Sequence, residues 1–255
     1  MTELLALAES VAREAGAQLR EAFARVEELR IATKSSATDL VSDADLAAER
    51  LIRERLSAAR PDDALLGEEG SDVAGTSGLR WVVDPLDGTV NFLFGIPQWC
   101  VSVAVEDDAG VLAGVVFDAE RDELWAATRD GPATLNGAAF DAPGREDLAT
   151  AMVATGFGYA PEVRRTQAAL VSRLLPEVRD IRRLGAAALD LVWTAAGRYD
   201  AYFERGLNHW DVAAGELVCA RAGLSVVPLP PSPPSGAGVL VASARLASAL
   251  RPLLD

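Results

Sequence analysis

The sequence predicts an α+β fold made of layered helices and sheets, and three observations support this. The first 60 residues repeat apolar positions at helical spacing. Residues 64–128 consist of short apolar runs separated by turn residues. After about residue 145, strand-like and helix-like segments alternate. With 255 residues, 50% of them hydrophobic, the chain is long enough for one large domain or two halves that share a core.

Two helices are predicted first. Apolar residues from Leu4 to Val26 recur on one face, which predicts a long amphipathic helix over residues 3–29. The polar stretch from Thr33 to Thr38 is typical of a mobile loop or a hairpin. Ser42 or Asp43 then offers an N-cap for a second helix, which runs to about residue 59.

Strands follow in the middle of the chain. The runs ALLG, LRWVVD, CVSVAVED, VLAGVVFD and ELWAAT each predict a strand, and DDAG at 107–110 predicts a hairpin turn. The second half predicts strands at 151–154, 180–184, 200–204, 225–228 and 238–242, and helices at 162–175, 186–197, 211–222 and 244–251. The proline-rich run PLPPSPPSGAG predicts a surface loop. We expect two subdomains, at residues 1–140 and 141–255.

Composition excludes several classes of function. The formal net charge of -14 makes nucleic acid and anionic membranes unexpected partners. The single histidine, His209, argues against multi-histidine zinc sites, so any metal is expected to have oxygen ligands. Acidic residues in the N-terminal helix argue against a signal peptide. The lack of a run of about 18 apolar residues argues against a membrane-spanning helix. The low cysteine content suits a reducing compartment, and we expect a cytoplasmic protein.

The segment WVVDPLDGTVN at 81–91 is the most informative one. An apolar strand runs into Asp84 and Asp87, and the proline and glycine between and after them allow a tight backbone. Such clustered oxygens suit a hard divalent cation. Gly88 and Thr89 can open a helix whose free amides bind phosphate. An ordinary turn is the alternative interpretation of these residue types.

Three further acidic segments lie elsewhere: GEEG at 67–70, DLVSDAD at 39–45 and NHWDVAAG at 208–215. Each has an ordinary explanation when taken alone. Glu68 and Glu69 can belong to a solvated loop, whereas Asp43 and Asp211 can act as helix caps.

Together and in this order, GEE, DPLDGTVN and WDVAAG, preceded by DLVSDAD, resemble the inositol monophosphatase family. The resemblance runs from about Lys34 to Gly223. Lys34 is the only lysine in the chain, and it lies where the family pattern has a lysine. The resemblance implies an α-β-α-β-α layered sandwich, usually a homodimer. It also implies Mg²⁺-dependent hydrolysis of phosphate monoesters, commonly inhibited by lithium.

The resemblance also implies roles for individual residues. Two to three Mg²⁺ ions would be held by oxygens of Glu68, Asp84, Leu86 (its carbonyl), Asp87 and Asp211. Glu68 and Thr89 would position the attacking water, Asp45 would accept a hydrogen bond from Thr89, and the amides of Gly88 and Thr89 would bind phosphate. Contacts with substrate hydroxyls would come from Asp87, Glu204 and the backbone around Ala187.

Other functions remain open at this point. Relatives with similar metal motifs act on fructose 1,6-bisphosphate, 3′-phosphoadenosine phosphate or histidinol phosphate. Some bacterial relatives act with RNA polymerase in transcription, so a regulatory protein is the alternative from a different class.

Overall fold

The computed structural model describes residues 1–26, 31–33, 40–70 and 72–254. Its helices are α1 (Thr2–Phe23), α2 (Asp43–Ala59), α3 (Thr89–Leu93), α4 (Pro161–Leu174), α5 (Ala187–Ala195), α6 (His209–Arg221) and α7 (Ala244–Leu250). Its first strands are β1 (Ile31–Thr33), β2 (Leu40–Ser42), β3 (Ala64–Gly67), β4 (Arg80–Asp87), β5 (Cys100–Asp107), β6 (Gly110–Asp118) and β7 (Glu123–Thr128). The remaining strands are β8 (Thr134–Leu135), β9 (Ala138–Ala139), β10 (Met152–Thr155), β11 (Asp180–Arg182), β12 (Ala201–Arg205), β13 (Ser225–Ser232) and β14 (Gly236–Ala242).

Two sheets organise the molecule. One has seven strands in the order β3-β4-β5-β6-β7-β8-β9, and the other has five in the order β11-β10-β12-β14-β13. A small antiparallel pair, β1 and β2, lies apart from both sheets. The mixture of parallel and antiparallel pairs in both large sheets identifies an α+β architecture.

The helices form layers around these sheets. Alternate residues of the seven-stranded sheet face opposite cores: Trp81 and Val83 pack with α1 and α2, while Val82 packs with α5 and α6. The five-stranded sheet does the same, since Tyr202 faces the α5–α6 layer and Phe203 packs with α4 and α7. The order is therefore α1/α2, sheet, α5/α6, sheet, α4/α7. This confirms the layered α-β-α-β-α prediction.

The start of α2 agrees with the sequence. Ser42 is the N-cap, and its hydroxyl and amide pair with Asp45 in a capping box. The hairpin turn at 107–110 is also present between β5 and β6. By contrast, α1 ends at Phe23 instead of reaching residue 29, and the end of the predicted helix (27–29) lies outside the described residues.

The predicted proline-rich loop is largely wrong. Strand β13 continues to Ser232 and includes Pro228 and Pro230. It is an edge strand of its sheet, so a proline can lie there without removing a hydrogen bond between strands. The pairing with β14 is irregular between Leu229 and Ser232, as expected where prolines interrupt a ladder.

Candidate active site

Asp84 and Asp87 lie at the end of β4, a central strand of the seven-stranded sheet. Asp84 pairs with Ser102 and Asp87 with Cys100, so the register shifts by one residue between them. This bulge accommodates Pro85 and places two carboxylates close together at the strand end. Gly88 follows with a φ of 92°, a left-handed conformation that glycine adopts readily, and α3 begins at the next residue.

Glu68 follows β3, the parallel neighbour of β4. Its amide donates to the carbonyl of Val83 at 3.2 Å, which carries the chain alongside β4 for one more residue. The carboxyl of Glu68 makes a hydrogen-bonding contact with that of Asp84. Two acidic segments that are separate in the sequence therefore meet at one strand end.

Asp211 reaches the same place from the second half of the chain. It is the third residue of α6, and its Oδ2 accepts the amide of Asn208 at 2.6 Å. The N-cap is therefore Asn208 and not Asp211. The helix begins at His209, two residues before the predicted start at residue 211. Helix α6 packs across β4 to β7, so its first turn lies beside the end of β4.

Burial and mutual repulsion dominate the electrostatics of these carboxyls. Burial first, and then the charges of Glu68, Asp87 and Asp211, raise the pKa of Asp84 well above its usual value. Burial raises the pKa of Asp87 to about 6 despite the hydrogen bond from the amide of Ala188. Burial likewise raises the pKa of Asp211 to about 8, with further contributions from Asp87 and Glu68.

This donor set suits magnesium. Every donor is a hard oxygen, and a divalent cation would relieve the repulsion that raises the three pKa values. Within the described ranges, no three His, Cys, Asp or Glu side chains already form a group that could hold an ion.

Thr89 is oriented from two sides. Its Oγ1 lies 3.1 Å from Asp45 Oδ1 and 3.0 Å from the carbonyl oxygen of Leu86, and its single proton can go to one of them at a time. Asp45 is fully buried and also accepts from the amide of Ser42 at 2.8 Å. The capping box of α2 therefore fixes the carboxylate that orients the Thr89 hydroxyl.

A cleft of about 920 Å³ opens over these groups. Glu68, Asp84, Leu86, Asp87, Gly88, Thr89 and Asp211 line one part of it, and Ala187 and Glu204 line another. Burial raises the pKa of Glu204 to about 7, while a hydrogen bond from Tyr202 and the charge of Arg183 lower it. All the site residues proposed from the sequence therefore reach this cleft or its wall, except Lys34, which lies outside the described residues.

Comparison with known proteins decides the family. The model of the inositol monophosphatase family matches residues 1–253. The chain belongs to the inositol monophosphatase family. The inositol-1-monophosphatase SuhB of Mycobacterium tuberculosis is 41% identical over 262 residues, covering 94% of this chain and 89% of that protein. The Nus factor SuhB of Xylella fastidiosa is 44% identical over 213 residues, covering 83% and 77%.

Solved structures of the family share the fold. The extragenic suppressor protein suhB from Bartonella henselae has a TM-score of 0.92 at 35% identity, covering 99% of this chain and 98% of that one. SuhB of M. tuberculosis has a TM-score of 0.83 at 37% identity. Among the described residues of this chain, no helix is long and apolar enough to cross a membrane.

The sequence analysis did not predict several residues that line the cleft. They include the cations Arg164 and Arg183 and the aromatic residues Phe94, Phe157 and Tyr159. The guanidinium carbon of Arg183 lies over the ring of Phe157, 5.7 Å from its centroid, within the range of a cation–π contact. No local pattern distinguishes these arginines from those on the surface.

Proposed function

We propose that this chain is a Mg²⁺-dependent phosphatase that hydrolyses the phosphate monoester of a small polyol, with inositol monophosphate as the first candidate. One observation carries the proposal: four carboxylates from three separate parts of the chain, Glu68, Asp84 with Asp87, and Asp211, converge beside Gly88 and Thr89 in one cleft. Membership of the inositol monophosphatase family and relatives named inositol-1-monophosphatases support it.

The proposed metal ligands are the oxygens of Glu68, Asp84, Leu86, Asp87 and Asp211. Two to three bound Mg²⁺ ions would supply positive charge to the phosphate and lower the pKa of the attacking water. The amides of Gly88 and Thr89 face the phosphate in this proposal. Glu68 and the Thr89 hydroxyl orient the water, and Glu68 accepts its proton. Water adds to phosphorus, the ester bond breaks, and the polyol leaves with a proton.

The substrate end of the cleft favours a polyhydroxylated leaving group. The Glu204 carboxylate can accept hydrogen bonds from hydroxyls, and Ala187 places backbone groups near Asp87. Arg164, Arg183 and Arg205 add positive charge to a cleft whose other charged lining residues are acidic. These groups suit an anionic ester with several hydroxyls.

A substrate panel tests this proposal. Phosphate release is measured with and without Mg²⁺ on inositol 1-phosphate, fructose 1,6-bisphosphate, 3′-phosphoadenosine 5′-phosphate and histidinol phosphate. We expect Mg²⁺-dependent turnover that is fastest on inositol 1-phosphate. Faster turnover of another member would keep the metal chemistry and replace the substrate. No turnover on any member would contradict the proposal.

A regulatory function is the second candidate, because a relative that is 44% identical is named a Nus factor. In this alternative the chain acts with RNA polymerase in transcription. A pull-down with purified polymerase distinguishes the two candidates. Association above that of an unrelated acidic protein would support the regulatory function, and background association would remove it.

We also propose a homodimer and a division into subdomains at residues 1–140 and 141–255. The division is supported by the seven-stranded sheet, which ends at Ala139, and the five-stranded sheet, which begins at Met152. The homodimer is proposed from membership of the inositol monophosphatase family. Light scattering during gel filtration gives the mass; twice the chain mass of 26.8 kDa is expected, and the single mass would contradict the dimer.

A further inference from the structure

The carboxylate of Glu204 is held by a neighbour on its own strand. Tyr202 and Glu204 are two residues apart on β12 and therefore face the same side of the sheet. The hydroxyl of Tyr202 donates to Glu204 Oε2 at 2.7 Å. Tyr202 is completely buried and does not line the cleft, so it acts on a ligand only through Glu204.

Gly156 confines the same carboxylate from the adjacent strand. It follows β10, the parallel neighbour of β12, where Thr155 pairs with Phe203. A Cβ atom at Gly156 would lie 1.9 Å from Glu204 Oε2 and 2.1 Å from its Cδ. The φ of Gly156 is outside the left-handed region, so space and not backbone conformation accounts for glycine here. The carboxylate occupies the volume that any larger side chain would need.

These two contacts leave one oxygen for a ligand. Oε2 is bonded to Tyr202, whereas Oε1 has no hydrogen bond within the described part of the chain, and Glu204 lines the cleft. A buried tyrosine on one side and a backbone without a side chain on the other restrict the carboxylate to one orientation. Fixing a recognition group beforehand reduces the entropy lost when the ligand binds.

We propose that Tyr202 and Gly156 are positioning residues that set the preference of the cleft for polyol phosphates by fixing the orientation of Glu204. This inference rests on the proposed function, because it assumes that Glu204 contacts the hydroxyls of the leaving group. It adds two specificity determinants that do not touch the substrate.

Tyr202→Phe is the direct test, since it removes one hydroxyl and keeps the ring that packs in the core. KM and kcat are measured on inositol 1-phosphate and on 4-nitrophenyl phosphate, whose leaving group has no polyol. We expect KM for inositol 1-phosphate to rise about tenfold, the effect of one hydrogen bond to a charged group, with kcat changed less than about twofold. The parameters for 4-nitrophenyl phosphate should not change.

Gly156→Ala provides a second variant that does not depend on Tyr202. It should displace the Glu204 carboxylate and give the same selective loss, at least as large as that of Tyr202→Phe. Tyr199→Phe is the matched control, because Tyr199 is also a buried tyrosine, but its hydroxyl lies beside Asp190 and not Glu204. It should leave the preference between the two substrates unchanged.

A double-mutant cycle separates positioning from a general structural effect. In a Glu204→Ala background, Tyr202→Phe should cause no further loss on inositol 1-phosphate. Equal losses on both substrates, or additive losses in the double variant, would overturn the positioning proposal.

The outcomes also separate this proposal from the proposed function. If Glu204→Ala causes the selective loss but Tyr202→Phe and Gly156→Ala do not, the positioning proposal alone is overturned. A wild-type protein that does not hydrolyse inositol 1-phosphate would overturn both.

Discussion

The carboxylate of Asp87 accepts a hydrogen bond from the amide of Ala188 at 2.7 Å, across 101 residues of sequence. Asp87 ends β4 in the seven-stranded sheet, and Ala188 belongs to the first turn of α5, in the middle layer. The side chain of Asn91 makes a second link, donating to the carbonyl of Leu184 at 2.7 Å. The DPLDGTVN segment therefore both carries the candidate site and holds the second half of the chain against it.

Asp84→Asn should reduce turnover by more than about 100-fold, because it removes a charge from a proposed Mg²⁺ ligand. Asn has nearly the same shape, so the variant should fold. Phosphate release at saturating Mg²⁺ measures the effect. Asp108→Asn, in the exposed turn between β5 and β6, is the matched control and should keep full activity. Turnover of the Asp84 variant near that of the wild type would contradict the metal assignment.

The metal-free protein should lose stability as the pH rises from about 4 to 8. The folded-state pKa values of Asp87 and Asp211, about 6 and about 8, lie above the usual value for aspartate. Their contribution is therefore fully present below the unfolded-state pKa, about 3.9, and is lost as the pH rises through the folded-state values.

Thermal unfolding in a chelator, repeated with excess Mg²⁺, measures this dependence. The increase in Tm caused by Mg²⁺ should grow with pH, because the ligands must be deprotonated to bind. An increase that is the same at pH 5 and pH 8 would contradict the carboxylate site.

Asp63 should stabilise the fold with the opposite pH dependence. Burial opposes its ionisation, but hydrogen bonds from Arg60, Ser77 and Trp81 outweigh this and lower its pKa. Its contribution is thus present above the unfolded-state pKa and is lost as the pH falls through the folded-state value.

Asp63→Asn should lower the free energy of unfolding by about 1–3 kcal/mol at pH 7, since charged hydrogen bonds are lost at a buried position. The loss should shrink below about pH 4, where the wild-type carboxyl also becomes protonated in the unfolded state. Urea unfolding at both pH values measures it. The exposed Asp62→Asn is the control, and a loss independent of pH would mean that the charge has no part in it.

Lithium should inhibit the Mg²⁺-dependent reaction at millimolar concentrations. It is a small, hard cation that competes for oxygen ligands, and inhibition is expected from the family resemblance. Phosphate release is measured at fixed Mg²⁺ with lithium chloride or potassium chloride at equal ionic strength. Complete resistance to lithium, or equal inhibition by potassium, would count against the proposed mechanism.

Local sequence predicted much of the fold because its signals act within a few residues. Ser42 caps α2 where the polar stretch meets the apolar repeat, and Gly88 marks the turn into α3. Errors arose where tertiary context decides. The prolines of β13 are compatible with a strand only because that strand lies at an edge, and the helix predicted to start at residue 211 begins at His209.

The candidate site could be assembled from sequence only in part. The acidic motifs were visible because several unusual residues are adjacent in each. The positions of Arg183, Phe157 and Gly156 around the cleft depend on how β10, β12 and α5 pack, and no short pattern encodes that. The link between Tyr202 and Glu204 has the same origin, since a tyrosine two residues before a glutamate is ordinary in a strand.

The rate of phosphate release from inositol 1-phosphate, measured as Mg²⁺ is added to chelator-treated protein, tests the central claim most directly. The account expects no turnover without Mg²⁺ and a rise to saturation with it, with no such rise in Asp84→Asn. Turnover that is independent of Mg²⁺, or the absence of turnover at saturating Mg²⁺, would contradict it.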